Sequence, residues 1–288
     1  MPRMGGLAIF IGFMTAALTT LELTTDVIGI LLGGAAIAAV GMVDDMIQLS
    51  AKVKLVGQIV AALIPVLFGV RIEWLNNPWG GYFYLDYLSV PFTVFWIVSL
   101  TNVVNLIDGL DGLAAGVSAI ASVTVIMVAL QQGMYPVAIM TASLAGAIIG
   151  FIRYNFNPAT IFMGDTGSLF LGYMLAAISI FGAVKSAATI ALLVPAIALG
   201  LPIMDTAFAI LRRYKNGRPI FQPTKVTSTI GSLLWALVSV RLLFSCISSV
   251  QGFALPPYCL QKWTGFMPLS FWAYSLPSSS LVPRKSAS

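Results

Sequence analysis

The stretch VIGILLGGAAIAAVGMVDD, Val27–Asp45, decides the fold. Seventeen residues without a charge run directly into two adjacent aspartates. On a helix rising 1.5 Å per residue such a run nearly crosses a hydrocarbon core of about 30 Å. Working outward, comparable runs lie at Gly5–Leu21, Leu55–Val70, Val90–Val104, Leu113–Leu130, Val137–Ile152, Leu169–Val184 and Ala188–Leu211. A weaker one, Ile230–Val250, is interrupted by Arg241. The first run lacks the charged leader and small-residue cleavage site of a signal peptide, so it is expected to remain as a span.

Composition agrees. Of 288 residues, 59% are hydrophobic and 9% are charged, and mean hydropathy is +0.96. A soluble domain carries about 25% charged residues. A surface this apolar needs lipid as its solvent, so the expected fold is all-α, a polytopic transmembrane helix bundle of about eight or nine spans. The net charge of +5 is dispersed along the chain and makes no nucleic-acid footprint. The two cysteines, Cys246 and Cys259, form neither a disulfide framework nor a zinc site. Histidine is absent, which removes the commonest general base and metal ligand. A metal here would take oxygen ligands, which favours a hard ion such as magnesium.

Alternating the spans from Arg3 sorts the charges. Nine basic residues up to Lys225 fall on Arg3's side, against Arg71 and Lys185 on the other, so Arg3's side is cytoplasmic. Glu22, Asp26, Glu73 and Asp86 fall outside. Asp44, Asp45, Asp108, Asp111, Asp165 and Asp205 fall at cytoplasmic helix ends. Carboxylates at a membrane boundary are costly unless they meet cations or water, so six converging on one face mark a site. The outer segment Arg71–Pro91 carries Asn76, Asn77, Pro78, Gly80 and Gly81 between aromatic runs. It is expected to form a small extracellular hairpin anchored at the interface.

Three motifs carry chemistry. Asp44-Asp45 places like charges side by side, so one is protonated or a cation lies between them. Lys52 and Lys54 follow, able to hold phosphate as point charges or simply to obey topology. Asn102, Asn105, Asp108 and Asp111 recur at every third residue and share a helix face. That stripe suits a sugar, a base or a hydrated metal, or else a polar helix–helix seam. Asn155 to Ser168 is a loop entering a helix, with Asp165 between Gly164 and Gly167. There Asp165 either caps the helix or faces a ligand. Asp205 closes the eighth run ahead of Arg212, Arg213, Lys215 and Arg218, a basic stretch that serves topology or greets an anionic nucleotide.

Taken together, Pro2-Arg3-Met4-Gly5-Gly6, Asp44-Asp45, Asn105–Gly112, Asn155–Ser168 and Gly217–Gln222 resemble the polyprenyl-phosphate N-acetylhexosamine-1-phosphate transferases. The likeness covers about residues 2–225 and looks closest to the teichoic-acid-linkage type. It implies transfer of a sugar 1-phosphate, N-acetylglucosamine 1-phosphate first among them, from a UDP-N-acetylhexosamine to undecaprenyl phosphate, releasing UMP. It implies a magnesium cofactor, with manganese as the alternative ion, and a multi-pass protein of the bacterial cell membrane with a cytoplasmic active site. The lipid bilayer is its surroundings, nucleic acid is no partner, and a homodimer is left open. By motif, Asp165 resembles the metal ligand, and Asp44 and Asp45 resemble the catalytic pair. Lys54, Asn105, Asp108, Asp111, Asn155 and Phe162 are expected at the substrates. One-step attack and a covalent aspartyl intermediate both stay open.

The sequence departs from that family at both ends. Relatives carry a span before the Pro2–Gly6 motif, a frequently acidic residue at Gln48, and a histidine-rich motif after Gln222. Here Val226–Ser288 has no acidic residue, 13 serines and both cysteines. The expected division is a transferase domain over 1–225 and a divergent or frame-shifted tail over 226–288, which raises an inactive, truncated family member as an alternative. An ion-coupled transporter is the other alternative, but it would place its charges near the midplane instead of at one face.

Overall fold

The computed structural model of the chain describes residues 4–76 and 82–186. The chain divides into two compact units, Met1–Leu243 and Phe244–Ser288, and every described residue belongs to the first. Asp205, the eighth and ninth expected spans, the basic stretch after Arg212 and the tail lie outside the described residues.

Seven helices follow the expected runs: α1 (Gly5–Thr20), α2 (Thr25–Ile47), α3 (Ala51–Leu67), α4 (Ser89–Ile107), α5 (Leu113–Gln131), α6 (Tyr135–Asn155) and α7 (Gly164–Ser186). α2, α5, α6, α7 and α4 with its preceding turn are long and apolar enough to cross a membrane. α1 and α3 are shorter, at 16 and 17 residues. The fold is an all-α bundle of membrane-length helices. The expected hairpin is also present, as β1 (Trp74–Asn76) antiparallel to β2 (Tyr82–Tyr84), with Leu75 opposite Phe83. It is tied to the bundle where the Ile72 N–H donates to Thr93 Oγ1 on α4, at 2.9 Å.

Local chemistry sets the helix ends. Asp26 lies in the first turn of α2, where a carboxylate complements the helix dipole. α2 stops at Gln48, which takes the left-handed conformation with φ 50°. Gly112, at φ +71°, turns the chain between α4 and α5, a backbone state that a side chain would strain.

α7 is the axis of the bundle. Its membrane-length window is 94% buried, against 39–50% for the other four, so the other helices wrap around it. In lipid there is no hydrophobic drive between helices, so association rests on close packing. Small residues supply it. A Cβ on Gly6 of α1 would collide with the Gly167 backbone, and one on Gly172 would sit 2.6 Å from Thr101 Cα of α4. Tyr173, fully buried, reaches from α7 to the Ile30 carbonyl of α2, at 3.2 Å.

Candidate active site

The ends of α2, α4 and α6 and the starts of α1, α3, α5 and α7 meet at one end of the bundle. Up-and-down connectivity causes this, because each charged motif sits at an end of the same parity. Gly5 and Gly6 open α1 by donating their N–H groups to the Phe162 and Met163 carbonyls, at 3.1 and 2.8 Å. That pins the loop before α7 against α1.

Lys54, in the first turn of α3, sits at the centre. Its ammonium lies 2.8 Å from Asp44 Oδ2 and 3.0 Å from Asp165 Oδ1, and donates to Asn105 Oδ1 at 3.3 Å. Three residues, from α2, α4 and α7, thus meet around one cation on α3. Lys52, by contrast, is exposed, as a topological lysine would be. Asp44 is nearly buried, its side chain 7% exposed, and its other oxygen accepts the Leu49 N–H at 2.6 Å. Asn105 donates from Nδ2 to both Asp165 Oδ1 and Ser168 Oγ, the latter at 2.8 Å. Asp165 keeps 35% of its side chain exposed and forms the accessible rim of the cluster.

The two adjacent aspartates face different neighbours. Neighbours on a helix point about 100° apart. Asp44 turns to Lys54, whereas Asp45 turns to the start of α7, accepting from the Asp165 and Thr166 N–H groups and the Thr166 hydroxyl at 2.8, 2.9 and 2.6 Å. The resemblance ranked both as catalytic; the geometry gives them different neighbours.

The asparagine and aspartate stripe also divides. Asn102 faces Gln58 of α3 in a reciprocal amide pair, at 3.2 and 2.6 Å, so at this position the stripe is a helix–helix seam. Asn105, one turn on, enters the charged cluster. Asp108 follows the end of α4. Burial first, then the negative charges of Asp165 and Asp45, push its carboxyl up to about 7. Asp111 accepts the Ala159 N–H at 3.1 Å and so holds the loop before α7. Asn155, only 2% exposed, spends both ends of its amide on backbone, accepting from Gly112 N and donating to the Ile161 carbonyl, each at 3.0 Å. In this structure Asn155 braces two loops. Phe162, in the loop before α7, stays 38% exposed.

Sequence reasoning did not find Thr166 or Gln58. Each reads as an ordinary helical residue until its partner on another helix is in place.

The donor set suits a hard cation. The site offers oxygen ligands, among them an accessible Asp165 carboxylate. Among the described residues, no three acidic, histidine or cysteine side chains close on one point. An accessible carboxylate beside amide and hydroxyl oxygens has the chemistry magnesium takes, one or two carboxylates with the rest of its shell from water and substrate phosphates.

Fold and site together define a multi-pass membrane protein with a charged, phosphate-compatible end. The chain belongs to glycosyl transferase family 4, whose family model matches residues 27–183. Its relatives are sugar-phosphate transferases. The Bacillus subtilis (strain 168) protein named "probable undecaprenyl-phosphate N-acetylglucosaminyl 1-phosphate transferase" is 45% identical, across 78% of this chain and 63% of the relative. A decaprenyl-phosphate N-acetylglucosaminephosphotransferase of Mycobacterium tuberculosis (strain ATCC 25618 / H37Rv) is 38% identical, with the same coverage. A phospho-N-acetylmuramoyl-pentapeptide-transferase of Streptococcus equi subsp. equi (strain 4047) is 35% identical, across 68% of this chain and 62% of the relative. The chain spans about 63% of the length of the first of these relatives.

Proposed function

We propose that this chain transfers N-acetylglucosamine 1-phosphate from UDP-N-acetylglucosamine to undecaprenyl phosphate, releasing UMP, as an early membrane step of cell-wall polymer synthesis. An oxygen of the lipid phosphate attacks the phosphorus that bears the sugar. The bond from that phosphorus to the oxygen bridging it to the uridine phosphate breaks, and UMP leaves with that oxygen. Atoms and charge balance, since a dianion and a dianionic nucleotide sugar become a dianionic lipid diphosphate and UMP dianion.

The observation that carries this reading is Lys54, clasped by Asp44, Asp165 and Asn105 at the polar end of an otherwise apolar bundle. Two anions must approach each other, and such a reaction depends on positioning and charge neutralisation. The Lys54 ammonium lies where a phosphoryl oxygen could exchange for a carboxylate. Asp44 holds Lys54 at the centre of the cluster, and Asn105 orients Asp165 at its rim. Asp165 would hold magnesium, which when bound neutralises phosphate charge. With both of its oxygens engaged, Asp44 is a poor nucleophile in this arrangement, which favours direct attack by the lipid phosphate. The shared end faces the cytoplasm in this reading, where UDP-sugars are made.

The test is turnover of UDP-N-acetylglucosamine and undecaprenyl phosphate by the full chain in detergent, following UMP. The expected result is divalent-cation-dependent transfer that Asp165→Asn abolishes while the protein still folds, since its loss of the Lys54 pair costs no more than about 1 kcal/mol. Near-normal turnover by Asp165→Asn would overturn the assignment.

A further inference from the structure

The Asp44-Asp45 pair looks like one chemical unit in the sequence, yet the structure sends its members to different tasks. α7 begins without a capping group of its own, because Met163 and Gly164 carry no side-chain oxygen that could accept its first N–H groups. Those groups are among the orphan donors of any helix start. Asp45 supplies the missing acceptor from α2, some 120 residues earlier in the chain. One oxygen takes the Asp165 N–H, and the other takes the Thr166 N–H and hydroxyl. An ionised carboxylate offers about four acceptor positions, so this contact occupies most of them.

A second, independent feature keeps Asp45 there. Gly41 lies one turn earlier on the same face of α2. A Cβ on it would come within 2.5 Å of Thr166 Cα and 2.7 Å of the Asp165 carbonyl. The helix backbones therefore touch at Gly41, and that closeness carries the Asp45 carboxylate onto the first turn of α7. The residue it fixes is Asp165, whose side chain must point to Lys54 and Asn105.

We infer that Asp45 is a positioning residue that caps α7 from outside and thereby orients Asp165, with Thr166 as its partner in that contact. It touches neither substrate nor metal. The inference rests on the site proposed above for its link to catalysis, but the cap itself can be tested without turnover.

The experiment uses the full chain in detergent micelles and combines hydrogen exchange across 164–168 with steady-state kinetics. In Asp45→Asn an amide NH₂ replaces one acceptor. The expected result is faster exchange of the Asp165 and Thr166 amides, and a kcat lowered roughly 10- to 100-fold, as for a misplaced catalytic group. Both KM values stay within about twofold, because no substrate contact is lost. Thr166→Val should lower kcat by less, and Thr166→Ser, which keeps the hydroxyl, should restore most of that loss. The Asp45→Asn/Thr166→Val double variant should be no slower than Asp45→Asn alone, because both changes break one contact.

Exchange unchanged in Asp45→Asn overturns the inference. So does a rise of more than tenfold in either KM, or a double variant whose losses multiply. If Asp45→Asn fails to fold, Thr166→Val against Thr166→Ser decides, and equal rates in the two overturn it. If the parent chain shows no transfer at all, the proposed function fails, and the exchange result alone judges the cap.

Discussion

Replacing Lys54 by Met keeps the stem of the side chain and deletes the charge. Two ion pairs are lost at once, together with the hydrogen bond to Asn105. Asp44, with its side chain 7% exposed, loses its counter-ion and keeps only the Leu49 N–H. Removing one partner of a buried pair costs about 3–5 kcal/mol, and the surviving backbone bond argues for the lower end. Asp165 is 35% exposed, so water screens its loss, which adds no more than about 1 kcal/mol. The sum is roughly 3–4 kcal/mol. For a domain of about 200 residues that is a fall in the melting temperature of about 6–15 °C. If the ammonium also neutralises phosphoryl charge, turnover should fall about 10²- to 10³-fold. Lys54→Arg should recover most of the stability, because a guanidinium can still face both carboxylates, but less of the rate, since its planar fork does not reproduce a point charge. Thermal unfolding in detergent and UMP release measure the two effects. A Lys54→Met protein that melts and turns over like the parent would refute the reasoning, since an uncompensated Asp44 cannot cost nothing.

Asp108 predicts a pH dependence with a definite sign. Its carboxyl is raised from 3.8 to about 7, so the folded state holds the proton more tightly than the unfolded state. Stability from this group is full below about pH 4 and is lost as pH rises to about 7. Asp108→Asn should therefore match the parent at acid pH and melt higher at pH 8; a parallel pair of melting-against-pH curves would count against it. The Gln58–Asn102 pair predicts non-additivity: Asn102→Leu alone strands the buried Gln58 amide and costs about 1–3 kcal/mol, whereas Gln58→Leu/Asn102→Leu should be nearly neutral. Additive losses in unfolding experiments would show that the two amides do not depend on each other. A cysteine at Asn157 should be labelled by an impermeant thiol reagent only when the cytoplasmic side is exposed; labelling from outside intact cells would reverse the orientation drawn from the basic residues.

Much of the fold was legible because lipid imposes a coarse code. A spanning segment must be apolar over most of its length and satisfy its own backbone, so the helices can be read one at a time. The first seven expected runs correspond to α1–α7, and the aromatic segment after Arg71 forms the expected hairpin. Helix parity then brings the Asp44, Asp108 and Asp165 motifs to a common end before any packing is known. Lys54 was less legible, because a lysine beside a membrane span serves topology more often than chemistry. Only its 2.8 and 3.0 Å approaches to Asp44 and Asp165 separate it from exposed Lys52.

What the sequence determined by itself is therefore the solvent, the helices and the end at which charge collects, since these depend on composition and on distance along one chain. The tertiary structure decided which polar residue does what. Asp165 could have capped its own helix or faced a ligand; Asp45 takes the N–H groups at the start of α7, and the Asp165 side chain turns to Lys54 and Asn105. Asn102 and Asn105 looked equivalent, yet one pairs with Gln58 and the other joins the lysine. Asn155, expected at the substrates, also ties Gly112 to Ile161, a contact that its place in the sequence does not announce. The physical reason is the same in each case. A hydrogen bond is settled within about 3 Å by whichever partner the packing delivers, and here the partners come from helices dozens of residues apart.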